Sequence, residues 1–398
     1  MLWAIINLGL QEGNLVMRYR TFGKLDWRSS ALGFGAMRLP TIDGDPARID
    51  ESEATRMIRH AIDRGVNYVD TAWPYHRSTS EPFLGRALRD GYRERVKLAT
   101  KLPCWLVKEA ADFDRFLDEQ LRRLQTEQVD FYLLHALDAE RWPMMRDLGV
   151  LDWAERAMAD GRIGHRGFSF HDKYQAFQEI VDAFDGWTFC QIQYNYMDEQ
   201  EQAGVRGLNY AADKGLAVVV MEPLRGGMLA GDVPEPVQAL WDTAPLRRSP
   251  ADWALQWLWY QPAVSLVLSG MTTLAQVEQN LVSAQQSAVG VLGADDLALI
   301  GRVKDKYREL CPIPCTDCKY CLPCPNEVAI PRIFALYNEA AMYNAVERSR
   351  FAYHQWIREE ERANCCLQCG ECEAKCPQGI TIMDWLETAD VLLGDKAR

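Results

Sequence analysis

The sequence predicts an α/β protein, a (β/α)8 barrel followed by a small, mainly helical, cysteine-rich domain. Eight short runs rich in β-branched or aromatic residues alternate with segments of helical periodicity between residues 17 and 303, which indicates parallel strands joined by helices. A barrel of this kind takes about 250 residues. Ten of the twelve cysteines lie between Cys311 and Cys376, in the part that follows the barrel.

The eight predicted strands are residues 32–37, 67–72, 97–102, 129–137, 165–170, 189–194, 216–221 and 264–269. Helical periods separate them, as in "ESEATRMIRHAIDRG", where apolar residues recur every three or four positions and Gly65 provides the stop. An open doubly wound sheet fits less well, because no strand is followed by a Gly-x-Gly-x-x-Gly turn. In a barrel, polar residues at the carboxyl ends of the strands are the first candidates for chemistry.

A change of composition marks the end of the barrel. After residue 303 the chain becomes dense in Cys and Pro, and its two cysteine runs are separated by a helical pattern with Ile333, Leu336, Tyr337 and Ala340 on one face. We therefore predict a loose N-terminal extension over residues 1–16, a barrel over residues 17–303 and a mainly helical domain over residues 304–398.

Composition limits the partners and the compartment. With 56 acidic and 44 basic residues the 398-residue chain has a net charge of −12, which disfavours nucleic acid and anionic membrane surfaces. The apolar start lacks a basic segment and a cleavage pattern, and no later window is long enough to span a membrane. We expect a cytoplasmic protein, in which clustered thiols serve as metal ligands rather than disulfides.

Four polar residues follow or end successive predicted strands: Asp70, Tyr75, Lys101 and His135. Taken singly, such a histidine is more often a hydrogen-bonded core residue and such a lysine a solvated tip. Together they suit proton donation to a carbonyl oxygen that becomes negative as hydride reaches the carbon. Tyr75 would supply the proton with its pKa lowered by Lys101, Asp70 would orient Lys101, and His135 would hold the carbonyl oxygen.

The cysteines form two runs with the spacing of iron–sulfur ligands. The later run, Cys366, Cys369, Cys372 and Cys376 followed by Pro, has the bacterial ferredoxin spacing for a [4Fe-4S] cluster. The earlier run, Cys315, Cys318, Cys321 and Cys324 followed by Pro, is one residue shorter before its last cysteine. Zinc is the alternative, since paired Cys-x-x-Cys units also bind it.

Ferredoxin spacing also predicts how the two runs combine. The fourth cysteine of each run ligates the other cluster in two-cluster ferredoxins. We therefore expect the first three cysteines of the earlier run to share a cluster with Cys376, and the first three of the later run to share theirs with Cys324. The two runs would then form one interlocked unit.

Several segments of the barrel match a known family. From about Met17 to Val303 the chain resembles the aldo-keto reductases, in "GVNYVDTAWPYHRSTSEPFLGRAL", "LATK", "DFYLLHAL", "GHRGFSF", "CQIQYN", "MEPLRGGML" and "LVLSGMTTLAQVEQNL", all in the family's order. The remainder resembles the helical, ferredoxin-like iron-sulfur domain fused to a subset of that family. The resemblance implies a TIM barrel enzyme that uses NADPH or NADH, and two [4Fe-4S] clusters.

The resemblance also implies roles for single residues. Asp70, Tyr75, Lys101 and His135 would be the catalytic tetrad, and Ser169 and Gln191 would hold the nicotinamide amide. The other residues expected at the cofactor are Met221, Leu224, Gly270, Thr273, Gln276, Gln279 and Asn280.

This sequence departs from the family pattern at four positions. Phe170 replaces an asparagine, and Met221 replaces the tyrosine on which the nicotinamide usually stacks. Gly270 and Gln276 stand where members specific for NADPH often carry Lys and Arg for the 2′-phosphate. Without these two charges NADH is expected to compete well.

Two functions from different classes follow. The first is a reductase of a small-molecule carbonyl, or the reverse alcohol oxidation, whose clusters are structural or exchange electrons with a redox protein partner. The second is an electron-transfer protein in which the barrel is a docking or regulatory module. A nicotinamide binding titration discriminates them, because the second function predicts no response.

Overall fold

The computed structural model describes residues 16–394. The extension predicted over residues 1–16 lies outside the described residues except for its last one. No helix in the described part of the chain is both long enough and apolar enough to cross a membrane.

The chain divides into two compact units. The first comprises the described residues up to Pro223 together with Asp252–Leu292, and the second comprises Leu224–Ala251 together with the chain from Gly293 onward. The segment Leu224–Ala251, which lies within the range predicted as barrel, thus belongs to the same unit as the cysteine-rich part. The predicted domain boundary after residue 303 stays a prediction.

A two-stranded antiparallel hairpin, which the sequence analysis did not predict, precedes the barrel. Its strands are β1 (Tyr19–Thr21) and β2 (Arg28–Ser30). Between them the fully buried Phe22 lies 4.9 Å from the ring of Phe131 and 5.8 Å from that of Phe189. Since both of these residues lie near the start of their strands, Phe22 closes the N-terminal end of the barrel.

Eight parallel strands close into a barrel, as predicted, with the last strand paired to the first. Each predicted strand overlaps one observed strand. The barrel strands are β3 (Leu32–Gly35), β4 (Tyr68–Asp70), β5 (Lys97–Leu102), β6 (Val129–Leu137), β7 (Ile163–Phe170), β8 (Phe189–Gln193), β9 (Ala217–Met221) and β10 (Leu266–Gly270).

Amphipathic helices cover the outside of the barrel. In the first of them Asp50 caps the N-terminus by accepting from the Glu53 amide at 3.1 Å, and its apolar residues are buried. The helices of this unit are α1 (Glu51–Asp63), α2 (Ser80–Ala87), α3 (Ala111–Leu124), α4 (Arg141–Asp147), α5 (Val150–Ala159), α6 (Tyr174–Asp182) and α7 (Gly204–Asp213). Further along the chain come α8 (Glu235–Trp241), α9 (Pro250–Trp259) and α10 (Leu274–Gln285), of which α8 belongs to the second unit.

The second unit is mainly helical, as predicted, and has its own apolar core. Its remaining helices are α11 (Ala294–Glu309), α12 (Ile330–Met342), α13 (Val346–Trp356), α14 (Glu371–Ala374) and α15 (Ile382–Leu393). The core is built around Ile313, Ile333, Phe334, Tyr353 and Leu386, and several of the cysteines pack against it.

Candidate active site and cysteine centre

A buried ion pair lies at the ends of β4 and β5. Lys101 Nζ donates to the two carboxylate oxygens of Asp70 at 2.6 and 2.8 Å and to the Thr71 carbonyl at 2.8 Å. The hydroxyl of Tyr75 is 3.4 Å from the same nitrogen. Lys101 is 0% exposed and Asp70 2%, so each charge depends on the other in place of water. The structure therefore brings three of the four predicted catalytic residues into contact.

The segment after Tyr75 has an unusual backbone. Residues 76–78 all have positive φ, between 50° and 69°, although none of them is glycine. His76 fixes this segment with both ring nitrogens: Nε2 accepts from the Leu39 amide at 3.1 Å, and Nδ1 lies 2.9 Å from the Pro46 carbonyl. Left-handed backbone at consecutive non-glycine residues persists only where surrounding contacts hold it. The contacts of His76 with Leu39 and Pro46 therefore help to fix the position of the adjacent Tyr75.

Burial and charge act in opposite directions on these groups. Burial raises the pKa of Tyr75, Lys101 lowers it and Asp70 raises it, and the result is a pKa above the ordinary value. Lys101 acts in the expected direction, but the pKa of Tyr75 is not lowered overall, because desolvation of the phenolate outweighs the ammonium. Burial also works to lower the pKa of Lys101, but attraction to Asp70 raises it overall. Tyr75 keeps its proton and Lys101 its charge at neutral pH.

A backbone irregularity places His135 near the end of β6. The pairing of β6 with β7 shifts in register between Leu134 and Leu137, and Ala136 between them has a φ of 54°. The amide of Ala136 donates to Ser169 Oγ at 2.8 Å. Such a bulge redirects a side chain at the rim of a barrel, and Ser169 stabilises it here.

The rings of His135 and Tyr75 lie edge to face, with 6.3 Å between centroids and 84° between planes. Burial, and then the repulsion of Lys101, hold the pKa of His135 well below its ordinary value. Its Nδ1 is buried and has no hydrogen-bond partner among the described residues. The imidazole is therefore neutral at physiological pH and can donate one hydrogen bond.

Two of the residues predicted at the nicotinamide are neighbours across strands. Ser169 on β7 pairs in register with Gln191 on β8, and both are buried. The Gln191 Oε1 atom is buried without a partner among the described residues, while its Nε2 donates to the Met221 sulfur at 3.5 Å. An unsatisfied buried amide oxygen is costly, and a carboxamide would satisfy it. The donors and acceptors present thus fit a nicotinamide amide.

Five of the predicted cofactor residues lie at the junction of β10 and α10. Thr273 caps α10 by accepting from the Gln276 amide, and the Gln276 side chain accepts from the Thr272 amide at 2.8 Å. Asn280 is buried and donates to Ser269 Oγ at 3.0 Å. The remaining two, Gly270 and Gln279, are exposed.

A charged residue that sequence reasoning missed lies beside Gly270. A Cβ built on Gly270 would be 3.2 Å from both Cβ and Cγ of Arg38, which comes from the loop after β3. The Arg38 carbonyl accepts from the Thr272 hydroxyl at 3.0 Å. The aliphatic part of an arginine therefore fills the space that a side chain at position 270 would take.

Leu224 differs from the other predicted cofactor residues, because it belongs to the second unit. Its carbonyl accepts from the amides of Gly227 and Leu229 at 2.9 and 3.1 Å. These bonds make a compact turn, hereafter the 224–227 loop. It begins three residues after Met221, where β9 ends.

The eight predicted cysteine ligands surround two cavities, four to each. One cavity is lined by Cys315, Cys318, Cys321 and Cys376. The other is lined by Cys324, Cys366, Cys369 and Cys372. Each cavity thus receives three cysteines of one run and the last cysteine of the other. Four thiols around a cavity are the donor set of a [4Fe-4S] cluster.

The thiols are not arranged for a single ion. Among the described residues, no group of three or more His, Cys, Asp or Glu side chains could hold one metal ion. Burial raises the pKa of Cys321 to about 11, and it also raises the pKa of Cys315 and Cys372. Because metal ligation requires thiolates, binding at these cavities releases protons.

Three further residues at the barrel mouth were missed. The ring of Trp105, which is 41% exposed, lies 5.0 Å from that of His135. Burial lowers the pKa of His171, and the nearby Glu222 carboxylate opposes this lowering. The strand-end rule could have found two of them, since His171 follows β7 directly and Glu222 follows β9 directly.

Comparisons with known proteins agree with this architecture. The model of the Aldo/keto reductase family matches residues 31–300, and that of a 4Fe-4S dicluster domain matches residues 314–381. The L-galactose dehydrogenase of Arabidopsis thaliana is 26% identical over 293 residues, which covers 67% of this chain and 88% of that protein. The uncharacterized oxidoreductase YrpG of Bacillus subtilis (strain 168) is 28% identical over 236 residues, covering 54% and 69%.

Solved structures are similar to the barrel. The aldo-keto reductase AKR11C1 from Bacillus halodurans in its holo form superposes with a TM-score of 0.61 at 26% identity, covering 72% of this chain and 96% of that one. An aldo-keto reductase from Klebsiella pneumoniae in complex with NADPH gives a TM-score of 0.58 at 24% identity, covering 73% and 95%. The second similarity concerns the fold alone.

Proposed function

Because this chain belongs to the aldo/keto reductase family and carries a 4Fe-4S dicluster domain, we propose that it is an oxidoreductase that reduces an aldehyde or ketone to an alcohol, or catalyses the reverse. The contact of Lys101 with Asp70 and with the Tyr75 hydroxyl carries this proposal.

Each residue of the predicted tetrad has a separate role in the reaction of the carbonyl group. A reduced nicotinamide, when bound, would supply the hydride to the carbonyl carbon and become oxidised. Tyr75 gives its hydroxyl proton to the carbonyl oxygen, which becomes the alcohol oxygen, and solvent returns a proton to Tyr75. His135 is neutral and orients the oxygen with one hydrogen bond. Lys101 stabilises the transient phenolate, and Asp70 keeps Lys101 charged and in place.

Substrate and cofactor are held by neighbouring groups. Ser169 and Gln191 bind the nicotinamide amide, and the thioether of Met221 packs on its ring. Trp105 offers an aromatic wall for the apolar part of the substrate beside His135. The exposed positions at the start of α10 bind the adenosine part. With Gly270 and Gln276 lacking charge, NADPH and NADH both serve as cofactors.

The cysteine-rich domain holds two [4Fe-4S] clusters, one in each cavity, with the ligand sets crossed between the runs. Each run then supplies a ligand that completes the other's cluster. Because cluster binding and folding are coupled, this arrangement stabilises the domain as one unit. Thiols kept available for clusters belong in a reducing compartment, which favours the cytoplasm.

Electron exchange between the clusters and the barrel faces a difficulty. A hydride carries two electrons together, whereas each cluster passes one at a time, and flavins usually mediate between the two. The clusters therefore serve a structural purpose or exchange single electrons with a redox protein partner, separately from the hydride step.

The test begins with protein purified without oxygen, analysed for iron and sulfide and titrated with NADPH and NADH by nicotinamide fluorescence. A panel of aldehydes and ketones is then assayed for cofactor oxidation. We expect saturable binding and turnover of at least one carbonyl compound. A flat titration with fully loaded protein would reject the reductase and favour the electron-transfer protein with the barrel as a docking module.

A further inference from the structure

The helix α12 borders both cysteine cavities. Its first residue, Ile330, lines the cavity of Cys324 as well as the cavity of Cys315. Phe334, one turn later, lines the second of these. The N-terminal turn of α12 therefore forms part of the wall of each cavity.

The middle of α12 is bonded to the chain that leads into the first cysteine run. The Asn338 side chain accepts from the Ile313 amide at 3.0 Å and donates to the Ile313 carbonyl at 2.8 Å. Ile313 is fully buried and stands two residues before Cys315. The earlier run is thus fixed to α12 as well as lying beside it.

The C-terminal end of α12 holds Arg225 of the 224–227 loop. The Arg225 guanidinium donates to the Tyr343 hydroxyl, lies 5.1 Å above the Tyr343 ring and is 3.7 Å from the Glu339 carboxylate. Tyr343 is 2% exposed and its ring packs 4.9 Å from that of Tyr307 on α11. A buried, packed tyrosine is a rigid partner for the loop.

A second arginine holds the same loop from α13. Arg348 Nη1 donates to the Gly226 carbonyl at 2.8 Å. Gly226 has a φ of +66°, and a Cβ built on it would lie 2.3 Å from Arg348 Nη2. Glycine is therefore required at this position, both for the left-handed backbone and for the approach of Arg348.

We propose that Tyr343 and Arg348 are positioning residues for the 224–227 loop, and that α12 couples the loading of the two cysteine cavities to the order of this loop. The coupling rests on the proposed function in one respect, namely that [4Fe-4S] clusters occupy the two cavities. The loop follows β9 after only two residues, Glu222 and Pro223.

The coupling has a simple physical basis. Clusters and their cysteine ligands order together, so an incomplete ligand set loosens the first turn of α12. A helix of this length spans about 20 Å as a stiff element, and loosening at one end weakens the contacts at the other. The loop would then lose two arginine-mediated contacts and open more often.

Amide hydrogen exchange of the full-length, cluster-loaded protein tests the proposal. The amides of Gly227 and Leu229 report on the loop, since both donate to Leu224. Arg348→Ala should speed their exchange by about tenfold, the effect of losing one charged hydrogen bond, with iron content unchanged. Arg348→Lys, which keeps a donor, should restore part of the protection. Cys324→Ala, remote from the loop in sequence, should also speed loop exchange.

Arg350→Ala is the matched control, because Arg350 lies on the same helix but pairs with Glu347 and the Leu392 carbonyl. It should leave the loop amides unchanged. Loop exchange that is the same in Cys324→Ala as in the loaded protein would overturn the coupling, and unchanged exchange in Arg348→Ala would overturn the positioning role.

Nicotinamide affinity separates this inference from the proposed function. Absence of nicotinamide binding in the loaded wild-type protein would reject the proposed reductase, but it would leave the loop exchange results, and with them the helix coupling, unaffected.

Discussion

The barrel mouth and the cysteine centre differ in whether the chain alone completes the site. At the mouth, Lys101 is fully buried and its partners are all supplied by the chain, so the charged set is complete without any ligand. At the cysteine centre the thiols surround cavities, and Cys318 and Cys369 remain exposed. The first site is preorganised by folding, whereas we expect the second to complete its fold only when its clusters bind. Changes at the mouth should therefore affect the reaction, and changes at the cysteines should affect the structure.

Replacement of Tyr75 by Phe gives the sharpest expected loss of reaction. It removes the proton donor without disturbing the fold, so turnover should fall at least about a hundredfold, the usual scale for a general acid. Nicotinamide binding, measured by fluorescence titration, should be retained.

Tyr68→Phe provides the matched control for this loss. Its hydroxyl is also buried but has no hydrogen-bond partner among the described residues, and its removal should leave turnover intact. Carbonyl reduction by Tyr75→Phe within a few-fold of wild type would show that Tyr75 is not the proton donor.

Removal of Cys324 or Cys376, each of which lines the cavity of the other run, should affect cluster content and stability. The wild type should contain about eight irons per chain in two four-iron clusters. Cys324→Ala should chiefly damage the cluster held by the later run, and Cys376→Ala the one held by the earlier run, as followed by Mössbauer and EPR spectra. Stability to denaturant should fall in both variants, because a missing ligand weakens the whole unit.

Cys311→Ala serves as the control, since Cys311 lines neither cavity. Spectral damage confined to the mutated residue's own run would reject the crossed ligand sets. Zinc in place of iron in the wild-type protein would reject the iron–sulfur assignment.

Gln191→Leu should weaken nicotinamide binding more than it slows the bound reaction. It removes the buried amide whose oxygen has no partner among the described residues, and the dissociation constant should rise about tenfold, equivalent to about 1.4 kcal/mol. Thermal unfolding of the variant checks that the fold is unchanged. An unaltered dissociation constant would place the carboxamide elsewhere.

Cofactor choice is the smallest effect. Without charges at Gly270 and Gln276, the preference for NADPH over NADH in kcat/KM should stay below about tenfold, or 1.4 kcal/mol. A preference of about a thousandfold would contradict this and point to another charge, with Arg38 the first to examine because it lies against Gly270. Arg38→Ala would then abolish the preference, whereas Arg48→Ala, an exposed arginine paired with Asp43, would not.

Much of the barrel could be predicted from sequence because its signals are local. Alternating strand and helix patterns predicted all eight strands, and the strand-end rule pointed to Asp70 and Lys101, which do meet. The cysteine spacing likewise predicted the two sets of four that line the cavities. In both cases residues at a regular spacing in the sequence come together because the fold itself is regular.

Other features depend on contacts distant in sequence and could not be predicted. The hairpin of β1 and β2 has strands of only three residues each, too short to show a period. The net rise in the pKa of Tyr75 comes from burial, which a list of charged neighbours does not reveal. Arg38 lies against Gly270, although the two residues are more than two hundred positions apart in the sequence.

Phe22, which closes the N-terminal end of the barrel, affects the order in which reactants move. The interior of the barrel is filled by side chains, among them Phe22 and Phe131, so reactants enter only at the end where Tyr75 and His135 lie. Two reactants that share one entrance cannot pass each other, so the deeper one must arrive first and depart last. The kinetics should accordingly be sequential with an obligatory order of addition.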